Sequence, residues 1–443
     1  MKIDIPDFAL AAINILNKSG YEAYAVGGCV RDSLMGKLPN DWDICTNAHP
    51  EKVTAVFDGF KTIPTGLKHG TITIIIDNNP LEITTFRRDG EYSDSRRPDS
   101  VLFVPDLKED LSRRDFTINA MAYSEKDGLI DFFGGRADLE KKLIRCVGEA
   151  DIRFSEDALR ILRAVRFSSV LGFEIEDKTS AALIEKKNRL SRVSPERIAA
   201  EMNKLLLGKN VFEVMKKYRE MIAEFIPEIR AAFDFEQKNP HHNLNVYEHI
   251  LKSIESAPKD LTIRLTMLFH DIGKPQCFTV DEKGIGHFKG HQKLSAETAE
   301  RVLIRLKYPA DTVSLVKSLI LEHDNRLKAD ERIIKRFLRK YGYEFFKLQA
   351  QVRRADCNAQ SPKLLNQKLE QIEAAERLCE KIVGENECFS LHELKINGDI
   401  LIKNGFRQGE IIGDVLNRLL ENVISGELEN TETVLLNKAR ELL

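Results

Sequence analysis

Apolar and polar positions follow one period in the first third of the chain and another in the rest. In residues 71–77 (TITIIID) and 81–86 (LEITTF), β-branched residues predict two strands, and Asn78-Asn79-Pro80 between them predicts a turn. From about residue 140, apolar residues recur every three to four positions almost to the C-terminus, for example in 298–306 and 333–348. We therefore predict an α+β head followed by an all-helical remainder.

The segment 26–32 (VGGCVRD) has the composition of a phosphate-binding turn. Gly27 and Gly28 allow a tight turn that brings backbone N–H groups against a phosphate, and Arg31 adds positive charge at the same point. A Gly-Gly pair alone is usually only a turn. Its meaning therefore depends on the residues that come after it in the chain.

Acidic residues come after this turn in a pattern suited to a metal. Asp41 and Asp43 are two residues apart in an extended segment, so both carboxylates project from one face of a strand. Oxygen ligands on one strand suit Mg²⁺ that also contacts substrate phosphates. Glu82, in the second predicted strand, is a candidate third carboxylate.

Further motifs occur in the order found in one family of enzymes. After a polar segment at 87–100 come RRDFTINA at 113–120, EDALR at 156–160 and SPER at 194–197. Together with the turn and the acidic pair, they resemble the class II CCA-adding enzymes and bacterial poly(A) polymerases of the nucleotidyltransferase superfamily. The resemblance covers about the first half of the chain.

This resemblance implies a division of the chain into four parts. We expect a polymerase-β-like nucleotidyltransferase head at 1–140 and an all-α neck at 141–210, which recognises the base and carries RNA-binding helices. A body at 211–375 contains an HD metal-binding domain, and a helical tail at 376–443 contacts tRNA. The tail is assigned mostly from apolar spacing and glycines.

The chemistry of nucleotidyl transfer gives most of these residues a role. A 3′-hydroxyl attacks the α-phosphorus of a triphosphate, and two Mg²⁺ ions held by Asp41, Asp43 and Glu82 can activate it and neutralise the departing pyrophosphate. We expect Gly27, Gly28 and Arg31 to receive the β and γ phosphates, with Arg113 or Arg114 adding charge. Asp115 can accept a hydrogen bond from the ribose 2′-hydroxyl, and the resemblance implies that it selects ribonucleotides.

Base choice is assigned to Asp157 and Arg160. They lie three apart in a predicted helix at 156–171, so we expect them to share a face. Cytosine and adenine both present an amino donor beside a ring-nitrogen acceptor, which a carboxylate beside a guanidinium complements. A surface salt bridge is the alternative.

The loop at 88–97 is present, and in the resembled family a shortened loop here distinguishes enzymes that add only CC.

The second half carries another ordered set of possible metal ligands. These six residues, which we call the HD set, match the ligand order of HD-domain metal phosphohydrolases: His249, His270, Asp271, His291, His323 and Asp356. Imidazoles and carboxylates on successive helices can converge inside a bundle on one or two divalent ions, whose identity the sequence leaves open. Asn245 departs from the pattern, because relatives often have Asp there.

Composition and charge limit the partners and the cellular compartment that we expect for this protein. Net charge is −2, so any RNA-binding surface must be local, and the candidates are residues 186–204 and 326–354. The second run carries ten Lys/Arg against three Asp/Glu, although a solvated helix face is the simpler interpretation. Seven scattered cysteines without Cys-x-x-Cys favour reduced thiols, and no signal peptide or membrane-length apolar run is present. We expect a cytoplasmic protein that contacts neither membrane nor DNA.

Together these patterns predict template-independent addition of CCA to the 3′ end of tRNA from CTP and ATP. A hydrolytic activity of the HD set would be additional. Two alternatives remain from the sequence. One is an A-adding enzyme or poly(A) polymerase, and the other is an HD-type phosphohydrolase with a nucleotide-binding head.

Overall fold

The computed structural model describes residues 2–90, 100–325 and 327–442, with the backbone alone at positions 64, 65 and 68. The chain divides into two compact units, Met1–Pro227 and Glu228–Leu443. The first unit holds a mixed sheet and eleven helices among its described residues, and the second is built from helices. The predicted order of an α+β head followed by a helical remainder is confirmed, although four two-residue strands interrupt the helices after residue 140 in the described part of the chain.

The strands of the first unit form one large sheet and two small ladders. They are β1 Ala23–Val26, β2 Asp43–Thr46, β3 Lys61–Gly66, β4 Thr71–Ile76, β5 Asn79–Thr85, β6 Arg87–Asp89, β7 Val101–Phe103, β8 Met121–Ser124, β9 Gly128–Asp131, β10 Leu143–Ile144 and β11 Glu174–Ile175. The large sheet has the order β3-β4-β5-β2-β1-β8-β9. Within it β2 and β5 run parallel, while the other neighbours are antiparallel. This one parallel pair brings the acidic segments of β2 and β5 side by side.

The turn between β4 and β5 differs from the predicted one. Asp77 and Asn78 have φ of 48° and 63°, and Asn79 already pairs with Ile76 in the hairpin. A two-residue hairpin turn of this hand needs positive φ at both central positions, which Asp and Asn tolerate. Pro80 cannot adopt positive φ, so it lies in the strand opposite Ile75.

Helices of the first unit cover the sheet and then continue the chain as a bundle. They are α1 Asp7–Lys18, α2 Gly28–Leu34, α3 Pro50–Val56, α4 Leu107–Ser112, α5 Gly135–Glu140, α6 Ala150–Glu156, α7 Leu159–Leu171, α8 Asp177–Lys186, α9 Pro195–Leu206, α10 Val211–Lys217 and α11 Arg219–Phe225. Alternation in β4 buries Ile72, Ile74 and Ile76 beneath this layer. Burial of these side chains fixes the register that positions the acidic residues.

The second unit is helical apart from the short ladder of β12 Thr279–Val280 and β13 Gly286–His287. Its helices are α12 Val246–Ser256, α13 Leu261–Phe269, α14 His291–Arg305, α15 Ala310–Glu322, α16 Glu331–Asn358, α17 Leu365–Gly384, α18 Gly398–Lys403, α19 Glu410–Ile424 and α20 Glu432–Glu441. The backbone of α16 is not helical at Gly342, where φ is 81°. Helices α12 to α16 pack around one centre, to which the HD set belongs.

Candidate active site and metal centre

The head carboxylates lie on neighbouring strands. Asp43 begins β2 and pairs in register with Glu82 of β5, while Asp41 precedes β2 and Trp42 between them is buried. Burial, together with repulsion from Asp41 and Glu82, raises the pKa of Asp43 to about 6, although Arg114 acts in the opposite direction. The site therefore concentrates negative charge at one edge of the parallel strand pair, where a divalent cation would be favoured.

These three carboxylates do not form a closed ligand set. Among the described residues, the groups of three whose ligand atoms lie within 4.8 Å of one another both belong to the HD set. Like charges on adjacent strands repel each other, and this repulsion adds to burial, the larger cause, in raising the pKa of Asp43. The oxygen donors fit Mg²⁺ in kind, with space for ligands from substrate phosphates.

Gly27 is required at the glycine turn for two reasons. Its φ is 83°, and a Cβ atom there would lie 2.8 Å from Nη1 of Arg114. Arg31, in α2, is nearly buried: its guanidinium donates to both carboxylate oxygens of Asp32 at 2.8 and 2.9 Å and to Asn119 at 2.6 Å. The side chain of Arg31 is thus held rigidly beside the turn.

Asp110 organises the two arginines that the sequence left as alternatives. Its fully buried carboxylate pairs with Arg113 at 2.8 Å and with Arg114 at 3.6 Å. Burial alone would raise the pKa of Asp110, but these two guanidinium groups lower it. Arg113 also approaches Asp89, whereas Arg114 lies against Gly27 and influences Asp43. Arg114 is therefore the arginine positioned beside both the turn and the carboxylates.

Asp115 follows α4 and is almost completely enclosed by donors. It accepts hydrogen bonds from Nε of Arg163 at 2.8 Å, from Asn119 at 3.1 Å and from the Phe116 N–H at 2.8 Å. Burial favours a higher pKa, yet Arg163 and Asn119 outweigh it and lower the pKa of Asp115 to about 2. Asp115 is ionised and firmly fixed. Arg163 and Asn119 are partners that the sequence did not indicate.

The prediction of one continuous helix through Asp157 and Arg160 is wrong. Helix α6 ends at Glu156, and Asp157 is extended with φ −128° and ψ 106° before α7 begins. The Asp157 carboxylate instead accepts from the Leu159 N–H at 3.0 Å, which starts the new helix. A side chain with this capping role cannot share a continuous helical face with Arg160.

Each member of this pair has another partner. Asp157 pairs with Nη2 of Arg197 at 2.9 Å, whereas Arg160 pairs with Glu156 at 2.6 Å and donates to the carbonyl oxygen of Arg113 at 2.8 Å. Within the described part of the chain, Asp157 and Arg160 form no ion pair with each other. The salt bridge offered as the alternative is therefore also wrong. Arg197 comes from the SPER segment, which the sequence indicated only as a family motif.

The polar loop at 88–97 and the basic run at 326–354 have different outcomes. Residues 91–97 of the polar loop lie outside the described residues; Arg88, at its start, pairs with Glu109. Seven basic residues of the 326–354 run form ion pairs: Lys335, Arg336, Arg339, Lys340, Lys347, Arg353 and Arg354. Much of this positive charge is therefore compensated within the protein.

The HD set converges in the second unit. Nε2 of His249 lies 3.1 Å from Asp271 and 3.2 Å from Asp356, and Nε2 of His270 lies 3.3 Å from Asp271. The other carboxylate oxygen of Asp271 lies 3.2 Å from Nε2 of His291 and 3.6 Å from that of His323. Asp271 therefore stands between two groups of ligands.

The second nitrogen of each histidine ring fixes its orientation. The four Nδ1 atoms lie 2.6 to 3.2 Å from backbone carbonyl oxygens, those of Ala359, Met267, Phe288 and Ile320. A carbonyl accepts only from a protonated nitrogen, so the lone pair of each ring is left on Nε2, facing the centre. The Nε2 atoms meet in pairs at 3.2 Å, for His249 and His270, and 3.3 Å, for His291 and His323.

Two lone pairs at such a distance repel each other unless a proton or a metal cation lies between them. Although burial disfavours a charged imidazole, Asp271 and Asp356 raise the pKa of His249 to about 9, so the field at this point favours positive charge. The donor set of imidazoles and carboxylates fits one or two divalent transition ions.

The structure adds three residues around the HD set that the sequence did not indicate. Lys274 donates to Asp271 at 2.6 Å, Gln360 donates to both oxygens of Asp356, and Arg353 donates to Asp356 at 3.1 Å. Asn245 caps α12 by accepting from the Glu248 N–H at 2.8 Å. Its departure from the usual Asp therefore preserves a capping role.

Within the described residues, no helix is both long and apolar enough to cross a membrane. All seven cysteines are free thiols.

Three families match successive parts of the chain. The "Poly A polymerase head domain" matches residues 23–145, the "Probable RNA and SrmB- binding site of polymerase A" matches 172–233, and tRNA nucleotidyltransferase domain 2 matches 278–439. These matches extend the similarity beyond the head.

Curated relatives and solved structures agree with this assignment. A CCA-adding enzyme of Geobacillus thermodenitrificans is 50% identical over 49% of the chain, a stretch that spans 54% of that relative. The CCA-adding enzyme of Bacillus stearothermophilus in complex with CTP has a TM-score of 0.71 at 29% identity, covering 98% of this chain and 96% of that one. A Thermotoga maritima CCA-adding enzyme complexed with tRNA shares the fold, with a TM-score of 0.61 at 20% identity.

Similarity also holds over nearly the entire length. A CCA-adding enzyme of Lactobacillus delbrueckii subsp. bulgaricus is 35% identical over 428 residues, which are 96% of the chain and 96% of that relative. The resemblance drawn from the head motifs is thereby confirmed, and the chain belongs to the family of CCA-adding enzymes.

Proposed function

We propose that the chain adds CCA to the 3′ end of tRNA with CTP and ATP as substrates, and that the head carboxylates are its catalytic centre. The observation that carries the assignment is the register of Asp43 with Glu82, with Asp41 beside them and Arg114 opposite. Family membership favours complete CCA addition over an A-adding enzyme or a poly(A) polymerase. It also disfavours a phosphohydrolase with a merely nucleotide-binding head.

Different residues of the head would have different roles in nucleotidyl transfer. Asp41, Asp43 and Glu82 would hold divalent cations, proposed to be Mg²⁺, which supply Lewis acidity at the α-phosphorus and the attacking hydroxyl. Gly27 turns the backbone so that the N–H of Gly28 would orient the β and γ phosphates, while its own N–H donates to the carbonyl oxygen of Met121 at 3.2 Å. Arg114, beside Gly27, would neutralise the charge of the phosphates. Arg31 and Arg113 stiffen this wall through Asp32 and Asp110. Asp115 would accept a hydrogen bond from the ribose by exchanging one of its protein donors for the 2′-hydroxyl.

We propose that Asp157 and Arg160 recognise the base while a different ion-pair partner holds each of them. Arg197 holds Asp157 at 2.9 Å, and Glu156 holds Arg160 at 2.6 Å. Because their ion-pair partners differ, the carboxylate and the guanidinium do not neutralise each other, and each would meet one group of the base edge. The acceptor and donor complement cytosine and adenine and oppose uracil and guanine.

Replacing the metal-binding carboxylates tests the catalytic centre. Asp41→Ala or Asp43→Ala should abolish addition of CMP and AMP to tRNA lacking CCA, because the cations lose their ligands. Affinity for tRNA should change less than twofold in a filter-binding assay, since these carboxylates add negative charge rather than RNA contacts. Equal loss of both properties in a folded variant would place the catalytic centre elsewhere.

A second function is favoured by the HD set. We propose that it binds two divalent cations on either side of Asp271 and hydrolyses a phosphomonoester or a 2′,3′-cyclic phosphate. Support comes from the four Nε2 lone pairs directed at one centre and from Lys274 beside Asp271, placed to meet a phosphate. The backbone carbonyls orient the histidine ligands, and Lys274 would supply positive charge to the phosphate.

The two activities should be separable by mutation. His270→Ala/Asp271→Ala removes ligands of both proposed cations and should abolish hydrolysis and stoichiometric metal binding, while CCA addition continues. Thermal unfolding must accompany the assays, because buried ligands also stabilise the bundle. A folded double variant that adds no nucleotides would contradict the separation. A wild-type protein that binds metal but hydrolyses none of the phosphoesters would limit the HD set to a structural role.

We also propose a cytoplasmic location, in accord with the seven free cysteines.

A further inference from the structure

Asn119 joins two residues to which the proposed function gives different parts of the nucleotide. It ends the short 3₁₀ turn Thr117–Asn119 and is buried, with 6% of its surface exposed. Its Oδ1 accepts a hydrogen bond from Nη1 of Arg31 at 2.6 Å, and its Nδ2 donates to Oδ1 of Asp115 at 3.1 Å. Arg31 belongs to the wall beside the phosphates, and Asp115 would accept from the ribose. One side chain therefore links the phosphate wall to the ribose acceptor.

The two partners require the functional groups of an amide. A guanidinium only donates and an ionised carboxylate only accepts, so the side chain between Arg31 and Asp115 must offer one acceptor and one donor. Asn119 offers them on two atoms of one rigid plane, and its two hydrogen bonds fix which atom faces which partner. A carboxylate at this position would repel Asp115, and a hydroxyl would be one atom shorter. The amide is therefore suited to both partners at once.

Other hydrogen bonds of Arg31 and Asp115 do not replace this link. In the described part of the chain, the remaining hydrogen bonds of the Arg31 side chain go to Asp32, its neighbour in α2. Asp115 accepts from the N–H of Phe116, its own neighbour, and from Arg163 of α7. Each end is thus held locally, and the hydrogen bonds that join the two ends pass through Asn119.

An aromatic ring also lies close to both sides. The guanidinium carbons of Arg31 and Arg163 are 5.2 and 5.4 Å from the ring centroid of Phe167, in α7. Such contacts attract a cation to the face of a ring, but they do not fix its orientation as a hydrogen bond does. Phe167 can therefore support the two arginines, whereas the orientation of Asp115 relative to Arg31 depends on Asn119.

We infer that Asn119 is a positioning residue that holds Asp115 in register with Arg31, so that the ribose and the phosphates of one nucleoside triphosphate are bound at a fixed separation. The inference rests on the nucleotidyl transfer proposed for the head and adds a residue on which ribose selection depends. Without Asn119, Asp115 keeps its ion pair with Arg163 but loses its orientation relative to the phosphate wall.

The test replaces Asn119 in the full-length protein and measures the choice between CTP and 2′-deoxy-CTP. The selection ratio is kcat/KM for CTP divided by kcat/KM for the deoxynucleotide, on tRNA lacking CCA. Equilibrium dialysis of both nucleotides with Mg²⁺ but without tRNA gives the corresponding ratio of affinities and needs no turnover. The matched control is Asn47→Ala, which removes a head amide whose oxygen accepts from the Glu22 N–H at 2.9 Å, a hydrogen bond that involves neither Arg31 nor Asp115.

Asn119→Ala should lower the selection ratio about fivefold, as expected for the loss of one hydrogen bond of ordinary strength, because only the ribonucleotide uses Asp115. The weaker hold on Arg31 should also raise KM, but for both nucleotides alike, so this part cancels in the ratio. The ratio of affinities should fall by the same factor, and Asn47→Ala should match the wild type.

The direction of the change separates positioning from other roles. An unchanged ratio in folded Asn119→Ala would reduce Asn119 to a structural residue, and a higher ratio would show that its amide competes with the ribose for Asp115. Either result would overturn the inference. Adding Asn119→Ala to Asp115→Ala should leave the remaining ratio unchanged, because Asn119 acts through Asp115. A further fall there would show that Asn119 contacts the ribose itself, which also overturns a positioning role.

Folding of each variant is followed by the fluorescence of Trp42. If Asn119→Ala does not fold, Asn119→Ser takes its place with the same expected ratio, because a serine hydroxyl is too short to bond both partners. A wild-type protein that adds no nucleotide would contradict the function proposed for the head. A fall in the ratio of affinities in the variant would then still support the positioning of Asp115 by Asn119.

Discussion

Arg197 should control base selection although it was not among the residues assigned to that role. In the structure its Nη2 holds the Asp157 carboxylate at 2.9 Å, and the two side chains are 23% and 16% exposed. Removing the guanidinium by Arg197→Ala leaves Asp157 tied only to the Leu159 N–H. The carboxylate can then turn away from the amino group of cytosine or adenine. We therefore expect poorer discrimination against UTP and GTP.

The size of the effect can be worked out from one charge-assisted hydrogen bond. Such bonds contribute about 1.5–3 kcal/mol, and partial exposure to water reduces this to about 1 kcal/mol. One kcal/mol is about a fivefold change in an equilibrium. Discrimination, measured as the ratio of kcat/KM for CTP to that for UTP on tRNA lacking CCA, should fall about fivefold. The ratio for ATP to GTP on CC-ended tRNA should fall similarly.

A double-mutant cycle decides whether Arg197 acts through Asp157. Asp157→Ala should lower discrimination at least as far, and adding Arg197→Ala to it should have little further effect. Arg197→Lys, which retains charge but not the planar fork, should fall between the wild type and Arg197→Ala. Wild-type discrimination in a folded Arg197→Ala variant would refute this reasoning. A full further loss in the Asp157→Ala background would show that Arg197 contacts substrate by itself.

Two further predictions concern the head. Gly27→Ala should lower nucleotide addition at least tenfold, because φ of 83° disfavours a side chain and the new Cβ would displace Arg114. The free energy of unfolding should fall by about 1–2 kcal/mol. The control Gly28→Ala, whose Cβ meets only ordinary contacts, should not destabilise the protein. Asp115→Asn should cost about 2 kcal/mol of stability near pH 6, because Asp115 has a pKa of about 2 when folded and about 4 when unfolded. This contribution is complete above the unfolded pKa and lost as pH falls towards 2, so the gap between the two proteins should halve by about pH 3. Urea unfolding followed by the fluorescence of Trp42, the chain's single tryptophan, measures both stability effects in the head. A difference in the free energy of unfolding between the wild type and Asp115→Asn that stays constant across pH would contradict the ionised state of Asp115.

Where a sequence pattern predicted the wrong local structure, the side chain of a single residue overrode that pattern. The apolar spacing around 156–171 continues through Asp157, so the periodicity gives no sign of a break. A carboxylate that caps the next helix and binds a distant arginine changes the backbone there. Similarly, the β4–β5 turn lies at Asp77-Asn78 rather than at Asn78-Asn79-Pro80, because Pro80 cannot adopt positive φ.

The sequence by itself determined the fold class, the order of the motifs and the types of donor at both candidate sites. These depend on local properties: strand and helix periods, glycine where a turn needs positive φ, and histidine or carboxylate where a metal needs a ligand. The HD set was expected to meet because its order along the chain resembles the ligand order of HD-domain metal phosphohydrolases.

Only the tertiary structure decided which charged groups pair. Arg114 rather than Arg113 faces Asp43, Asp157 belongs with Arg197, and each histidine of the HD set is fixed by a backbone carbonyl. Such pairings join residues up to 110 positions apart, and they depend on strand register and helix packing, which no local pattern encodes.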